Sequence, residues 1–231
     1  MSTSLLPVIE IETGTPATAS IIWLHGLGAD GNDFAGIVPQ LRFPAGAAIR
    51  FIFPHAPVQP VTINGGMKMR AWYDITGIGP EFPDDSDGIR ASEKHMVNLL
   101  ENEQQRGIAP ENIVLAGFSQ GGAIALTTGL HYHKKLAGIM ALSTYLPFAE
   151  DYPYDSPQEP LDANQDTPIF MAHGNSDPVV PVSYGENSYQ KLLQLKYPVE
   201  LKRYNMQHAV CPEEIRDINN WICTVLNLEN A

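Results

Sequence analysis

Six stretches of the chain read as strands: Ser20–Leu24, Ala48–Phe53, the apolar run from Ile113 into Gly117, Gly138–Ser143, Thr167–Gly174 and Val199–Tyr204. Most are nearly unbroken runs of β-branched, aromatic and aliphatic residues, the pattern of strands buried on both faces. Between them lie segments with helical spacing. Ser86-Asp87-Gly88-Ile89 opens one, carried by Met96, Val97, Leu99 and Leu100 and stopped at Gly107. A second starts near Ala123 and ends near Gly129, a third spans about Ser183 to Lys196, and Pro212 opens a fourth with Ile215, Ile218, Ile222 and Val225 on one face. Asn32-Asp33 is expected to cap a short helix ending before Pro44. Alternating strands and helices with short crossovers predict an α/β domain with a mostly parallel sheet and helices on both faces. No internal repeat or heptad interrupts this order, and one domain over residues 1–231 is expected.

The strand at Ile113 runs into Gly117-Phe118-Ser119-Gln120-Gly121, a G-x-S-x-G sequence followed by a helix. That context makes it a nucleophile elbow: the turn is too sharp for neighbouring side chains, and the serine hydroxyl is lifted above the carboxyl end of the strand. Two partners follow in the chain. Asp177, pinned by Pro178, comes just after the strand ending at Gly174, whereas its competitors Asp162 and Asp166 precede that strand. Of seven histidines, only His208 lies beyond the acid, in a loop after the last strand. Ser119, Asp177, His208 is the chain order of a triad in an α/β hydrolase.

The loop after the first strand, His25-Gly26-Leu27-Gly28-Ala29-Asp30-Gly31, matches G-x-G-x-x-G. A dinucleotide site would need an acid at the end of the next strand, but Phe53 leads into Pro54-His55-Ala56-Pro57. The loop instead reads as half of an oxyanion hole with the Leu27 amide as donor and His25 as its scaffold. From Gln59 to Asp85 no period is sustained, yet Met67, Met69, Trp72, Tyr73, Ile75, Ile78 and Phe82 are too apolar for a solvated loop. They either fill the core or line an acyl groove, with Trp72, Met67, Ile75 and Phe82 the substrate-binding candidates. Pro147 to Pro168 is an irregular, proline- and acid-rich excursion.

A net charge of −12 excludes a surface that tracks polyanions, so no nucleic-acid partner is expected. The first residues, Met1 to Pro7, carry neither a basic region nor a long apolar run, so neither a signal peptide nor a membrane span is expected. Cys211 and Cys223 are the only thiols, consistent with a reducing, cytoplasmic setting. Cys223 reads as a core thiol, and no elbow surrounds Cys211 to make it a nucleophile. His131 and His133 sit beside Lys134 and Lys135 without a third ligand nearby, so they read as an exposed helix end rather than a metal pair.

Together, Leu24-His25-Gly26-Leu27-Gly28, Phe53-Pro54-His55-Ala56-Pro57, Ala71-Trp72-Tyr73-Asp74-Ile75, Gly117-Phe118-Ser119-Gln120-Gly121-Gly122-Ala123, His173-Gly174-x-x-Asp177-Pro178-Val179-Val180-Pro181 and Met206-x-His208 resemble the phospholipase/carboxylesterase family, which includes small bacterial carboxylesterases and acyl-protein thioesterases, also called lysophospholipases. The motifs span about residues 21 to 215. The resemblance implies a compact α/β-hydrolase fold without a large lid, a serine hydrolase needing no cofactor or metal, and often a homodimer. It carries the nucleophile onto Ser119, the acid onto Asp177, the base onto His208 and the oxyanion amides onto Leu27 and Gln120. It does not choose between oxyester, thioester and lysophospholipid. A peptidase or dienelactone-type hydrolase on the same scaffold, or a non-catalytic binding protein, are the alternatives.

Overall fold

The structure is a computed structural model that describes residues 5–77, 82–149 and 161–228. Ile78, residues 1–4, the middle of the proline-rich excursion and the side chain of Asp162 lie outside the described residues. The elements are β1 (Val8–Glu12), β2 (Ala19–Leu24), β3 (Ile49–Pro54), β4 (Val58–Val61), β5 (Met67–Arg70), α1 (Ser86–Gln105), β6 (Ile113–Phe118), α2 (Gln120–His131), β7 (Gly138–Leu142), β8 (Ile169–Gly174), α3 (Val182–Gln194), β9 (Val199–Tyr204) and α4 (Pro212–Val225).

Seven strands form one sheet in the order β1-β3-β2-β6-β7-β8-β9, parallel throughout except for β1, which runs antiparallel to β3. The expected mostly parallel sheet with helices on both faces is observed. Strand alternation assigns the two layers. Ile21, Trp23, Val114, Ala116, Met140, Leu142 and Phe170 pack with Ile218, Trp221 and Ile222 of α4 on one face. Ile22, Leu24, Ile113 and Leu115 meet α1 and α2 on the other, and Ile139, Ala141, Ile169 and Met171 meet Leu192 of α3.

Three elements differ from the sequence reading. Val8-Ile9-Glu10-Ile11-Glu12 alternates as a half-covered edge strand, an element the sequence reading does not contain. Residues 58–70, most of them in the segment without a sustained period, form the antiparallel hairpin β4–β5, in which Val58 pairs with Arg70 and Val61 with Met67. After Asn32-Asp33 comes a 3-10 helix, Ala35–Gln40, whose N-cap position falls on Phe34, which has no polar side chain to cap with, while the Asp30 carboxylate accepts the Asn32 amide at 2.8 Å.

The amino ends of the strands are tied to α1 by charge. Glu103 is fully buried and accepts from Arg50 and Arg106, each at 2.8 Å, and from the Ser20 hydroxyl. A buried carboxylate is tolerated here because both of its oxygens accept from donors, two of them cationic. This locks the end of the sheet opposite the loops that carry the candidate site.

Glu214, in the first turn of α4, has no such network. It is fully buried, and among the described residues neither carboxyl oxygen makes a hydrogen bond. Its carboxyl group lies near the Cys211 N–H while Cys211 Sγ accepts the Glu214 amide at 3.5 Å, an imperfect capping box. Burial pushes its pKa up to about 8, partly offset by that N–H. The fold therefore holds a proton that the unfolded chain releases near 4.5, and the stabilisation is lost as pH rises from there through about 8. Thermal melting of wild type and Glu214→Gln should diverge with rising pH. At pH 9 the amide variant should melt higher by at least about 2–4 °C, the shift that ~1 kcal/mol produces in a chain of this size.

Candidate active site

β6 delivers Ser119 at its carboxyl end with φ 53° and ψ −123°, a backbone conformation that L-residues rarely adopt. The turn is held from both sides. The Ser119 amide donates to the Leu142 carbonyl at 2.8 Å, and its carbonyl accepts from the Gly122 amide at 2.9 Å and the Thr144 hydroxyl at 2.7 Å. A Cβ on Gly121 would lie 2.5 Å from the His25 carbonyl oxygen, one on Gly122 would lie 2.7 Å from Thr144, and one on Gly117 would overlap the Gly121 backbone. The glycines of the motif are there because backbone occupies the space.

Asp177 sits in the turn after β8 and is 8% exposed. Its Oδ1 accepts from the amides of Val179 at 2.8 Å and Val180 at 2.9 Å, which leaves Oδ2 free for His208 Nδ1 at 2.6 Å. A carboxylate only accepts, so the proton is on Nδ1 and the bare Nε2 faces Ser119 Oγ at 2.9 Å. The acid loop and the histidine loop extend the β8–β9 pairing: the Asn175 amide donates to the Tyr204 carbonyl at 2.8 Å and that of Ser176 to Met206 at 3.1 Å. The Phe118 ring packs on the His208 imidazole, centroids 4.7 Å apart, and is backed by Phe34 at 5.4 Å.

The glycine-rich loop passes directly over the serine, since a Cβ on Gly26 would lie 3.4 Å from Ser119 Cβ. His25 is buried beneath it. One ring nitrogen donates to the Gly26 carbonyl at 2.7 Å and the other accepts the Ala56 amide at 3.1 Å, while burial lowers its proton affinity and keeps it neutral. Gly28, at φ +77°, donates to the Arg70 carbonyl at 2.9 Å. Between these anchors, the Leu27 amide makes no hydrogen bond among the described residues, nor does the Gln120 amide at the start of α2. Gln120 is 3% exposed, and a buried donor without a partner is costly unless something else accepts from it.

Of the groove candidates, the structure does not open Trp72 to a groove. It is 1% exposed, and its indole N–H donates to the His25 carbonyl at 2.8 Å, so it supports the loop from beneath. Ile75 is partly buried against the same core layer, while Met67 and Phe82 are exposed at 64% and 43% and do not join Trp72 in one lining. Met69 is the hairpin methionine beside the glycine loop, its sulfur 3.7 Å from where a Gly28 Cβ would stand. The sequence reading also has no role for the Gln120 side chain, which accepts the Trp72 amide at 2.8 Å and donates to the Tyr73 carbonyl at 2.7 Å. No periodicity marks such a clamp. His131 is not exposed, as its ring meets Glu93 at 3.1 Å. Among the described residues no group of three metal-ligating side chains forms, and no helix is long and apolar enough to cross a membrane.

The sheet order, the strained serine turn and the loops meeting at the strands' carboxyl ends define an α/β hydrolase. A profile of the phospholipase/carboxylesterase family matches residues 7–226, and the chain belongs to that family. It is 38% identical over 229 residues to acyl-protein thioesterase 1 of Gibberella zeae, covering 96% of this chain and 97% of that protein. Acyl-protein thioesterase 1 of Neurospora crassa is 40% identical over 212 residues, covering 89% and 86%. Among solved structures, Arabidopsis thaliana SOBER1 superimposes with a TM-score of 0.82 at 32% identity over 90% of this chain and 99% of that one. Zea mays acyl-protein thioesterase 2 gives 0.82 at 29% over 96% and 99%.

Because a Cβ on Gly174 would stand 2.5 Å from the Met206 carbonyl oxygen, Gly174→Ala must push the histidine loop away from the acid loop. Ester hydrolysis by this variant is expected to fall on the order of a hundredfold, the scale of a displacement near 1 Å at a reacting group. Circular dichroism should show the fold retained.

Proposed function

We propose that the protein cleaves acyl esters and thioesters by two-step acyl transfer, with Ser119 as nucleophile, His208 as general base and acid, and Asp177 as the group that holds the imidazole. The observation that carries this reading is the continuous chain from Asp177 through His208 to Ser119, with links of 2.6 and 2.9 Å. As Ser119 Oγ attacks the acyl carbonyl, its proton passes to His208 Nε2, and the carbonyl electrons move onto oxygen. The Leu27 and Gln120 amides receive that oxyanion, their lack of other acceptors supporting the role. Collapse breaks the bond to the leaving group, which takes the proton from His208. Water then attacks the acyl-serine by the same route, with His208 as base, and releases the carboxylic acid and Ser119.

For the physiological substrate we infer a lipid-derived acyl group in thioester linkage to a protein. The names of the relatives from Gibberella zeae and Neurospora crassa support this choice. Cys211 and Cys223, the two cysteines of the chain, form no disulfide among the described residues, which fits a reducing compartment, where such thioesters would be met.

Ser119→Ala and His208→Ala should each reduce hydrolysis of p-nitrophenyl esters on the order of a millionfold, with folding unchanged. Near-normal turnover in either would remove the assignment. A series of acyl-cysteine peptides and lysophospholipids of matched chain length should rank the thioester first, and preference for the lysophospholipid would redirect the substrate reading. Gln120→Met keeps the amide but frees it from Trp72 and Tyr73. It should lower kcat by about tenfold or more, less than removing an oxyanion donor outright.

A further inference from the structure

Beneath the acid loop lies a second imidazole that the mechanism above leaves unused. His173 occupies β8 on the same face as Met171, and it is 1% exposed. α3 makes room for it: a Cβ on Gly185 would stand 2.5 Å from His173 Nδ1. The opposite nitrogen, Nε2, lies 2.8 Å from the Val180 carbonyl oxygen and 3.5 Å from Asp177 Oδ2. Both neighbours are acceptors, so Nε2 carries the proton and Nδ1 is bare.

Val180 is the residue whose amide, with that of Val179, holds Asp177 Oδ1. The turn that aims the carboxylate is thus gripped twice, by its amides on the carboxylate and by His173 on the Val180 carbonyl. We propose that His173 is a positioning residue for Asp177: its Nε2–H fixes the 177–180 turn so that Oδ2 points at His208. This inference rests on the reading of Ser119, His208 and Asp177 as the reacting chain.

The charge state fits the task. Burial is the largest influence on His173 and lowers its proton affinity, the Val180 carbonyl, Asp177 and Glu186 oppose that shift, and His208 adds to it. A cation at His173 would sit 3.5 Å from the carboxylate and compete with the imidazolium that forms on His208. A neutral N–H supplies orientation without that competition. Loss of the donor frees the Val180 carbonyl and lets the carboxylate rotate, so the cost falls on the chemical step and not on substrate binding.

The test compares His173→Met, which removes the donor, with His173→Gln, whose side-chain amide can donate near the position of Nε2. Both are assayed on p-nitrophenyl butyrate beside wild type and Ser119→Ala. For His173→Met, kcat is expected to fall about 10- to 100-fold with KM within about twofold, as misorientation at a reacting group does. The downfield NMR signal of the His208 Nδ1 proton should shift or broaden, and His173→Gln should restore most of both. Nitrogen NMR of the wild-type imidazoles supplies a reading independent of folding in the variants, with His173 expected as the neutral Nε2–H tautomer at the pH of the assay. A proton on Nδ1 of His173, or wild-type kcat and an unmoved His208 signal in His173→Met, would overturn the inference. Should Ser119→Ala be inactive while His173→Met is normal, only this inference falls. Full activity in Ser119→Ala would overturn the reading of the site and this inference with it.

Discussion

A backbone conformation that most residues avoid is what the molecule is built to hold. At φ 53° and ψ −123°, Ser119 carries strain of the order of 1–3 kcal/mol, and such strain persists only where the surroundings over-determine it. Here the surroundings are the end of β6, the Leu142 carbonyl of β7, the Thr144 hydroxyl and the first turn of α2, all fixed by a sheet whose central strands are buried on both faces. Three glycines let these backbones approach to distances that a single Cβ would forbid. The strain is thereby carried by the whole α/β core and not by the loop itself.

Everything else at the site is arranged around that turn by pairs of adjacent strands. β2 sits beside β6, so the loop after β2 passes over Ser119. β8 and β9 lie side by side, and their pairing continues into the loops that carry Asp177 and His208. Gln120 then ties the helix that follows Ser119 to Trp72 and Tyr73, and Trp72 in turn donates to the carbonyl of His25 under the glycine loop. These contacts tie the glycine loop, the segment after the hairpin and the start of α2 to one another.

How much of this could be read from the residues alone follows from what produces a signal. Strands buried on both faces, such as Ile113 to Phe118, are legible because burial demands continuous apolar character, and the serine turn is legible because sterics demand glycines. The hairpin β4–β5 was hidden because Val58 and Met67 are exposed, leaving no contrast between its faces. Trp72 illustrates a different limit: composition identifies an aromatic residue that must pack somewhere, but only the fold decides between core and groove. The side-chain roles of Gln120 and His173 depend on contacts 48 and 7 residues apart in sequence, formed by hydrogen-bond geometry that no local pattern encodes.

The central claim is that Ser119 is the atom that becomes acylated, and covalent trapping addresses it most directly. The folded protein would be treated with a fluorophosphonate, and the adduct located by mass spectrometry of its peptides. One equivalent of phosphonate on Ser119, absent when His208 is replaced by alanine, is the predicted result. No adduct on folded wild-type protein, or an adduct on any other residue, would contradict it.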